Sequence, residues 1–463
     1  MRVGRGRTIA FALVLTVALV PWSFTGAHGE QTQATGKIKV GVSVPVKAVQ
    51  GELIWYGAEM AAKEINGAGG VNVGGKKYQF ELIKADSNEY ASIPDAVATH
   101  ERLMTVDKVN FVMGGGRSEA ALAQQELLPK YKVINLDIGA SDVKLMKRVK
   151  EDYANYKYFF HIVTNNPFTS GLTTWTPLVQ LPFERFREMG IEKPRVAIVA
   201  EKVGYADVMV KILEDLVKKL GGEVVSVHRP SFTADTLLGE LTAIKSSDVH
   251  LIIPCISGIS GLPLVKEWAQ LKVPAAMSGF IQQASLKESW EATGGACNYV
   301  MLNYRVAPVE MSKSTIAFWD KFVKTYNKWP DYHGSGGYDA IYLYKMAAES
   351  AGTLNADAVV VALEKIKGYQ SPMGNWELYP NDHDYAHSNI YAPGYQTHCL
   401  FQWRDGAMKV TWPDGKPVST WTSPPIPAFP KPATPEAWTG VKYAGTVAYE
   451  LPPWVVEYWK GKK

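Results

Sequence analysis

Between Lys37 and Phe280, short β-branched runs alternate with longer stretches of helical spacing. That alternation restricts the chain to an α/β architecture built on parallel sheets. "IKVGVSVP" reads as a first strand. "GELIWYGAEMAAKEINGAGG" reads as a helix whose residues Ile54, Ala58, Ala61, Ala62 and Ile65 share one face before Gly67 and the Gly69-Gly70 pair end it. The series continues with a strand at "YQFELIKAD", a helix over 92–106, a strand at "VNFVMGG", a helix over 118–129 and a strand at "KVINLDI". After the aromatic segment "YANYKYFFHIVTNNPF" the same order of elements begins again, from "RVAIVAEK" through "VHLIIPCI" to "PAAMSGF", with helices near 206–220, 236–245 and 262–271. Two doubly wound parallel-sheet lobes are the simplest arrangement. Three more helical patterns follow "NYVMLNYRVAP", and "THCLFQWRDGAMKVTWP" predicts a hairpin turning at Asp405-Gly406. These late elements are expected to return to the first lobe and then to the second.

The start of the chain carries a different signal. "MRVGRGRTIAFALVLTVALVPWSFTGAHGEQ" has a basic beginning, an apolar run over 9–20, then Pro21 and small residues, which is the layout of a secretory signal peptide over 1–27. The run is shorter than the roughly 18 to 20 residues that a spanning helix needs, and no cysteine follows it to take a lipid. Export with cleavage near His28 is therefore expected. Without the three arginines of that segment, 46 basic residues face 45 acidic ones, so composition gives no support to a nucleic-acid partner. With 46% hydrophobic content, the mature chain is long enough for two full cores. Cys255, Cys297 and Cys399 are widely spaced, so neither a zinc site nor a disulfide framework is indicated. A single Cys297–Cys399 bridge is open, while Cys255 sits in an apolar run and reads as a buried thiol. Beyond Pro413 the composition turns to proline and tryptophan. Because Trp421, Trp438, Tyr443, Tyr449, Trp454 and Tyr458 recur through it, 413–463 is expected to be an extended tail packed on the lobes.

In an open parallel sheet, ligands collect beyond the carboxyl ends of the strands. Gly114, Gly115, Gly116, Arg117 and Ser118 fall at one such place, and Gly139, Ala140, Ser141 and Asp142 at the next. Glycines let backbone approach a ligand, a helix's first turn attracts an anion, and the two serines add hydroxyl donors, so the pair suits a small carboxylate. Each turn alone is also ordinary architecture, since serine N-caps are routine. "GGGRSE" lacks the Lys-Ser/Thr ending of a phosphate loop. "NDHDYAHS" places His383 and His387 four residues apart beside Asp382 and Asp384, a spacing that would suit a metal, but its composition reads as a solvated turn. No metal or cofactor is expected, and no Ser-His-Asp or Cys-His set falls on the turns, so an enzyme is not expected.

Taken in order, "IKVGVSVP", "GAEMAAKEINGAGGV", "FVMGGGRSEAALA", "VINLDIGASD", "KVGYADV" and "GYDAIYLYKMAAESAG" resemble the type I periplasmic solute-binding proteins of the leucine/isoleucine/valine-binding family, over roughly Lys37 to Gly406. The resemblance implies two α/β lobes joined by a three-strand hinge, closing on a small solute for delivery to an ABC permease in the inner membrane. It implies lobe one over 37–165 and 305–372, lobe two over 166–304 and 373–412, and crossings near 163–167, 303–307 and 372–376. It also implies a monomeric periplasmic protein. Its carboxylate-binding serine falls on Ser118, its second turn on Gly139 and Ser141 with Gly116 and Ala140 beside them, and its second-lobe tyrosine on Tyr205. Family members that bind amino acids hold the ammonium with an acid after the fourth strand of lobe two, and here "MSGFIQQAS" offers none. A buried unpaired ammonium is costly. The expected ligand therefore shifts toward a carboxylate with an apolar or aromatic body, with a branched-chain amino acid or a neutral amide still open. Phe280 and Tyr205 are candidates for an aromatic wall, to which Trp55 and Tyr56 contribute unless they pack the core. Arg117 either clamps the carboxylate or points to solvent. Two other readings stay open, a ligand-sensing module of the same fold and a secreted α/β hydrolase.

Overall fold

The computed structural model describes residues 36–163, 174–416 and 438–462; the expected signal peptide and the first crossing from 164 onward lie outside them. Strand β1 (Gly36–Val44) is flanked by parallel neighbours on both edges, and its Val40, Val42 and Val44 are fully buried. Burial on both faces is why its sequence reads as a β-branched run and not as a strict alternation. Helix α1 (Val49–Gly67) leads to the hairpin β2 (Val71–Val73) and β3 (Lys76–Asp86), then to α2 (Ile93–Thr105), β4 (Phe111–Gly114) and α3 (Ser118–Gln125). Ser92 caps α2, its hydroxyl accepting the Asp95 N–H at 3.2 Å. The helix expected over 118–129 stops at Gln125, because Pro129 has no N–H for the Gln125 carbonyl and its ring would meet that oxygen. Strand β5 (Ile134–Asp137), α4 (Lys144–Glu151) and β6 (Phe159–His161) complete a six-stranded sheet in the order β2-β3-β1-β4-β5-β6, antiparallel only at β2.

The second sheet repeats the pattern. Helix α5 (Thr176–Glu188) precedes β7 (Arg195–Ala200), α6 (Gly204–Lys219), β8 (Glu223–His228), α7 (Leu238–Lys245), β9 (Leu251–Ile256), α8 (Gly261–Gln270), β10 (Ala276–Ile281) and β11 (Met301–Tyr304). The chain then returns to the first sheet's side with α9 (Thr315–Tyr326), α10 (Asp331–Ala351) and α11 (Ala356–Glu364). Helices α1 and α10 cross at backbone distance: a Cβ on Gly57 would stand 1.9 Å from the Gly334 carbonyl oxygen, and one on Gly337 would stand 2.3 Å from that of Ile54. A small hairpin, β12 (Tyr369–Ser371) and β13 (Gly374–Trp376), leads back to the second sheet. There β14 (Cys399–Arg404) and β15 (Ala407–Trp412) join antiparallel through Asp405-Gly406, both at positive φ as a two-residue hairpin requires. The order is β15-β14-β11-β10-β9-β7-β8.

Two expectations change at this level, and the open question of a Cys297–Cys399 bridge is answered. The described end of the tail, 438–462, finishes in a helix, α12 (Pro453–Gly461), where an extended segment was expected. Trp459 Nε1 donates to the Pro274 carbonyl at 2.6 Å and its ring stacks on His250 at 4.1 Å, so apolar packing against the second sheet drives the helix. Cys297 and Cys399 are free buried thiols, Cys399 Sγ donating to the Tyr304 carbonyl at 3.4 Å, and Cys255 is a buried thiol as expected. "NDHDYAHS" is a turn-rich loop, but His387 is not solvated. It is fully buried on the Phe160 ring, with Nε2 2.8 Å from a Glu364 carboxylate oxygen. Among the described residues no His, Cys, Asp and Glu group is arranged to hold a metal ion, and no helix is long and apolar enough to cross a membrane.

Candidate functional site

A cavity of about 410 Å³ opens where the strand ends of the two sheets face each other. On the first sheet's side, the chain leaves β4 through Gly114 and Gly115 at φ of 138° and 85°, a path that L side chains rarely take, and a Cβ on Gly114 would meet the Ser43 carbonyl oxygen at 1.9 Å. That turn brings Gly116, Arg117 and Ser118 to the cavity, and the turn after β5 brings Gly139 and Ser141. Tyr205, from the first turn of α6, and Phe280, from β10, line the opposite side with ring centroids 6.4 Å apart and planes at 78°. Seven of the eight residues expected at the site thus border one cavity. Ala140 does not: it is fully buried, and its N–H donates to Asp137 Oδ1 at 3.0 Å. Trp55 and Tyr56 lie elsewhere, Trp55 beneath Lys84 and Tyr56 stacked on Tyr326, because α1 turns that face to α9 and β3.

The hydrogen bonds redistribute the expected roles. Ser118 Oγ accepts the N–H groups of Ser141 at 3.0 Å and Asp142 at 3.2 Å, so the first turn braces the second. With the Ala140 N–H also engaged, three successive donors of the second turn are used within the protein. Arg117 borders the cavity with its guanidinium engaged within the protein. Its guanidinium donates to the carbonyls of Glu89 at 3.3 Å and Tyr90 at 3.4 Å and pairs with Glu119 at 3.3 Å. Behind the turn, the Glu89 carboxyl is fully buried and its oxygens make no hydrogen bond of ordinary geometry. Burial pushes it up to about 7, and the neighbouring N–H groups of Arg117 and Gly116 only moderate that shift. Burial also raises the Asp137 carboxyl well above the usual carboxylate range.

On the second sheet's side, Glu201 is a buried anchor. It accepts the Tyr205 hydroxyl at 2.9 Å, the Ser257 N–H at 2.7 Å, the Ser257 hydroxyl and the Gly258 N–H at 2.9 Å. Burial, and then the charge of Glu201, keep the Tyr205 phenol protonated well past its usual range, so its ring is oriented from beneath.

Sequence reasoning missed a third edge. Asn303 and Arg305, two apart at the end of β11, both line the cavity, as do Gln282, Tyr332 and His333. The Arg305 guanidinium lies 4.2 Å from the Tyr332 ring centroid, linking the strand that leaves the second sheet to the start of α10. Asp331 receives the Gln282 amide at 2.7 Å and the His333 N–H at 2.6 Å, and His333 Nδ1 lies 3.0 Å from it. Burial opposes ionisation of Asp331, but His333 and Gln282 outweigh it and hold the carboxyl below its ordinary range. The signal was present in "LNYRVAP": a charged residue inside an expected crossing, where the chain passes the cleft.

A family model described as periplasmic binding protein matches residues 37–392. The chain belongs to that family. As a periplasmic binding protein it is a solute-binding protein and not an enzyme, and the family places it in the periplasm. An amino acid binding protein of Pseudomonas aeruginosa is 32% identical over 123 residues, which span 26% of this chain and 31% of that protein. The Leu/Ile/Val-binding protein homolog 1 of Brucella abortus is 23% identical over 390 residues, 81% of this chain and 92% of its own length. Among solved structures, LivJ of Streptococcus pneumoniae in complex with isoleucine has a TM-score of 0.66 at 21% identity, covering 81% of this chain and 99% of its own. A Rhodopseudomonas palustris solute-binding protein in complex with benzoate has a TM-score of 0.63 at 18% identity, covering 81% and 95%. These structures share the fold.

Proposed function

We propose that this periplasmic binding protein captures a small carboxylate-bearing solute with an apolar or aromatic body and presents it to the inner-membrane permease of an ABC importer. Export follows from the signal peptide expected over 1–27, and the protein works as a monomer. The observation that carries the reading is the composition of the cavity walls. One wall is built from glycine and serine turns, where Gly116, Ser118, Gly139 and Ser141 meet a polar end of the solute. The other presents Tyr205 and Phe280 to its apolar body. Isoleucine and benzoate, found in the two structural neighbours, share a carboxylate on an apolar body. A solute touching both walls binds the closed arrangement more tightly than the open one, and that difference drives closure.

The test is a thermal-shift screen of the refolded, ligand-free mature protein against branched-chain amino acids, aromatic carboxylates and small amides. A true ligand at a hundred times its Kd adds roughly 2.7 kcal/mol of stability and raises Tm measurably. No shift with any of the three classes refutes the assignment.

A further inference from the structure

Tyr90 and Phe232 occupy matching places in the two halves of the molecule. Tyr90 lies four residues beyond β3, and Phe232 lies four residues beyond β8. In the first sheet β3 stands four positions from β6, the last strand before the chain goes over to the second sheet. In the second sheet β8 stands four positions from β11, the last strand before α9 and α10 return to the first. At about 4.8 Å per position, both residues sit roughly 19 Å from those strands, on the side of the cleft that travels furthest when the lobes swing apart. There they meet, with ring centroids 5.9 Å apart and planes at 36°. Each residue is seated on a glycine of its own lobe. A Cβ on Gly116 would stand 2.8 Å from the Tyr90 hydroxyl, and one on Gly258 would stand 2.2 Å from the Phe232 carbonyl oxygen and 2.8 Å from its ring.

Both residues also border the cavity. Many donors around it are taken: the N–H groups of Ala140, Ser141 and Asp142 bond within the protein, the Tyr205 hydroxyl serves Glu201, and the Arg117 guanidinium serves the Glu89 and Tyr90 carbonyls. The Tyr90 hydroxyl is different, because among the described residues none accepts its proton. Burial, and then the charge of Glu89, raise this phenol well above its usual range, so it stays a donor. Standing over Gly116, it lies at the turn that carries Ser118, whose oxygen accepts two N–H groups and whose own proton is left for a solute. We infer that Tyr90 couples recognition to closure: its hydroxyl donates to the solute's carboxylate beside Ser118, and its ring shuts the far side of the cleft against Phe232 of the other lobe. A hydrogen bond to a charged oxygen is stronger than one to a neutral oxygen, so the hydroxyl favours an acid over the matched amide. The aromatic pair slows reopening. A bound carboxylate holds the phenol where its ring meets Phe232, which links the solute's anionic group to the edge that moves most. This inference rests on the proposed function, since it names a specificity residue of the same cleft.

Titration calorimetry and stopped-flow dissociation of the refolded mature protein test both contacts, with benzoate and leucine and their amides, benzamide and leucinamide, as probes. The wild type should bind an acid better than its amide. Tyr90→Phe keeps the ring and should lose roughly 10- to 100-fold in affinity for the acid, but under about tenfold for the amide. Phe232→Ala should speed dissociation of acid and amide alike by roughly 3- to 10-fold and leave their affinity ratio within about twofold of the wild type. The inference is wrong, and the proposed function stands, if the wild type prefers the amide, if Tyr90→Phe keeps the acid within about threefold or weakens acid and amide equally, or if Phe232→Ala leaves dissociation unchanged. If the wild type binds none of the probes, the proposed function fails and the inference fails with it. Should Phe232→Ala not fold, Phe232→Leu keeps the bulk without the ring; faster dissociation is again the expected result, and an unchanged rate overturns the coupling.

Discussion

Glu89 stores an electrostatic penalty directly beneath a turn that lines the cleft. Its carboxyl is held at about 7 in the folded protein, mainly by burial, against an ordinary value of 4.5. The native state therefore binds the proton more tightly than the unfolded chain. As pH rises from about 4.5 to about 7 the unfolded chain ionises first, so this group's contribution to stability falls across that window and is level above it. Glu89→Gln removes the titration while keeping the shape. It should raise stability at pH 8 by up to about 3 kcal/mol and have little effect at pH 4. Parallel denaturant melts at the two pH values check this, and an equal gain at both would mean that the carboxyl is not what costs. Tyr205 shows the complementary case, in which the buried carboxylate of Glu201 is fully served by donors and becomes the support of a cleft side chain.

At the scale of elements, the contact between α1 and α10 decides how closely the late helices sit on the first sheet. Gly57 and Gly337 remove the Cβ atoms that would keep the two backbones apart. Close approach lets side chains around the crossing interlock at the density of a protein interior. Gly57→Ala would put a methyl 1.9 Å from the Gly334 carbonyl oxygen. The helices must then separate, at a cost of about 3 kcal/mol. Thermal unfolding should show a clear drop in Tm. Because Tyr332 and His333 stand in the first turn of α10, just before Gly334, the same change should also weaken solute binding.

For the whole molecule, the segment after Trp438 finishes the second lobe's core. Trp459 reaches the Pro274 carbonyl, Trp454 the Val273 carbonyl, and Trp438, Val455 and Trp459 are buried with the apolar residues of β7 and β9. Trp459→Ala should destabilise the protein by about 3 kcal/mol or more. It should leave ligand affinity within about twofold, because Pro274 precedes β10 and Phe280 stands near its far end, roughly 20 Å further along the chain. Urea unfolding and calorimetry on one variant read both quantities, and a large affinity loss would show that the tail helps to shape the cleft.

The division between what was legible and what was not follows the range of the forces. Strand and helix periods, the breaks at Gly67 and Gly69-Gly70, the Asp405-Gly406 turn and the glycine-serine turns beside the cleft are local properties of a few consecutive residues, and the sequence by itself determined them. The run of motifs from Lys37 onward determined the family as well. Tertiary structure alone decided that Ser118 would spend its oxygen on Ser141 and Asp142, that Arg305 would lie against Tyr332 and that His387 would be buried on Phe160. Each of these is set by atoms far apart in the chain, whereas the end of α3 before Pro129 follows a local rule. Burial and electrostatic environment are sums over such neighbours, and no window of sequence contains them.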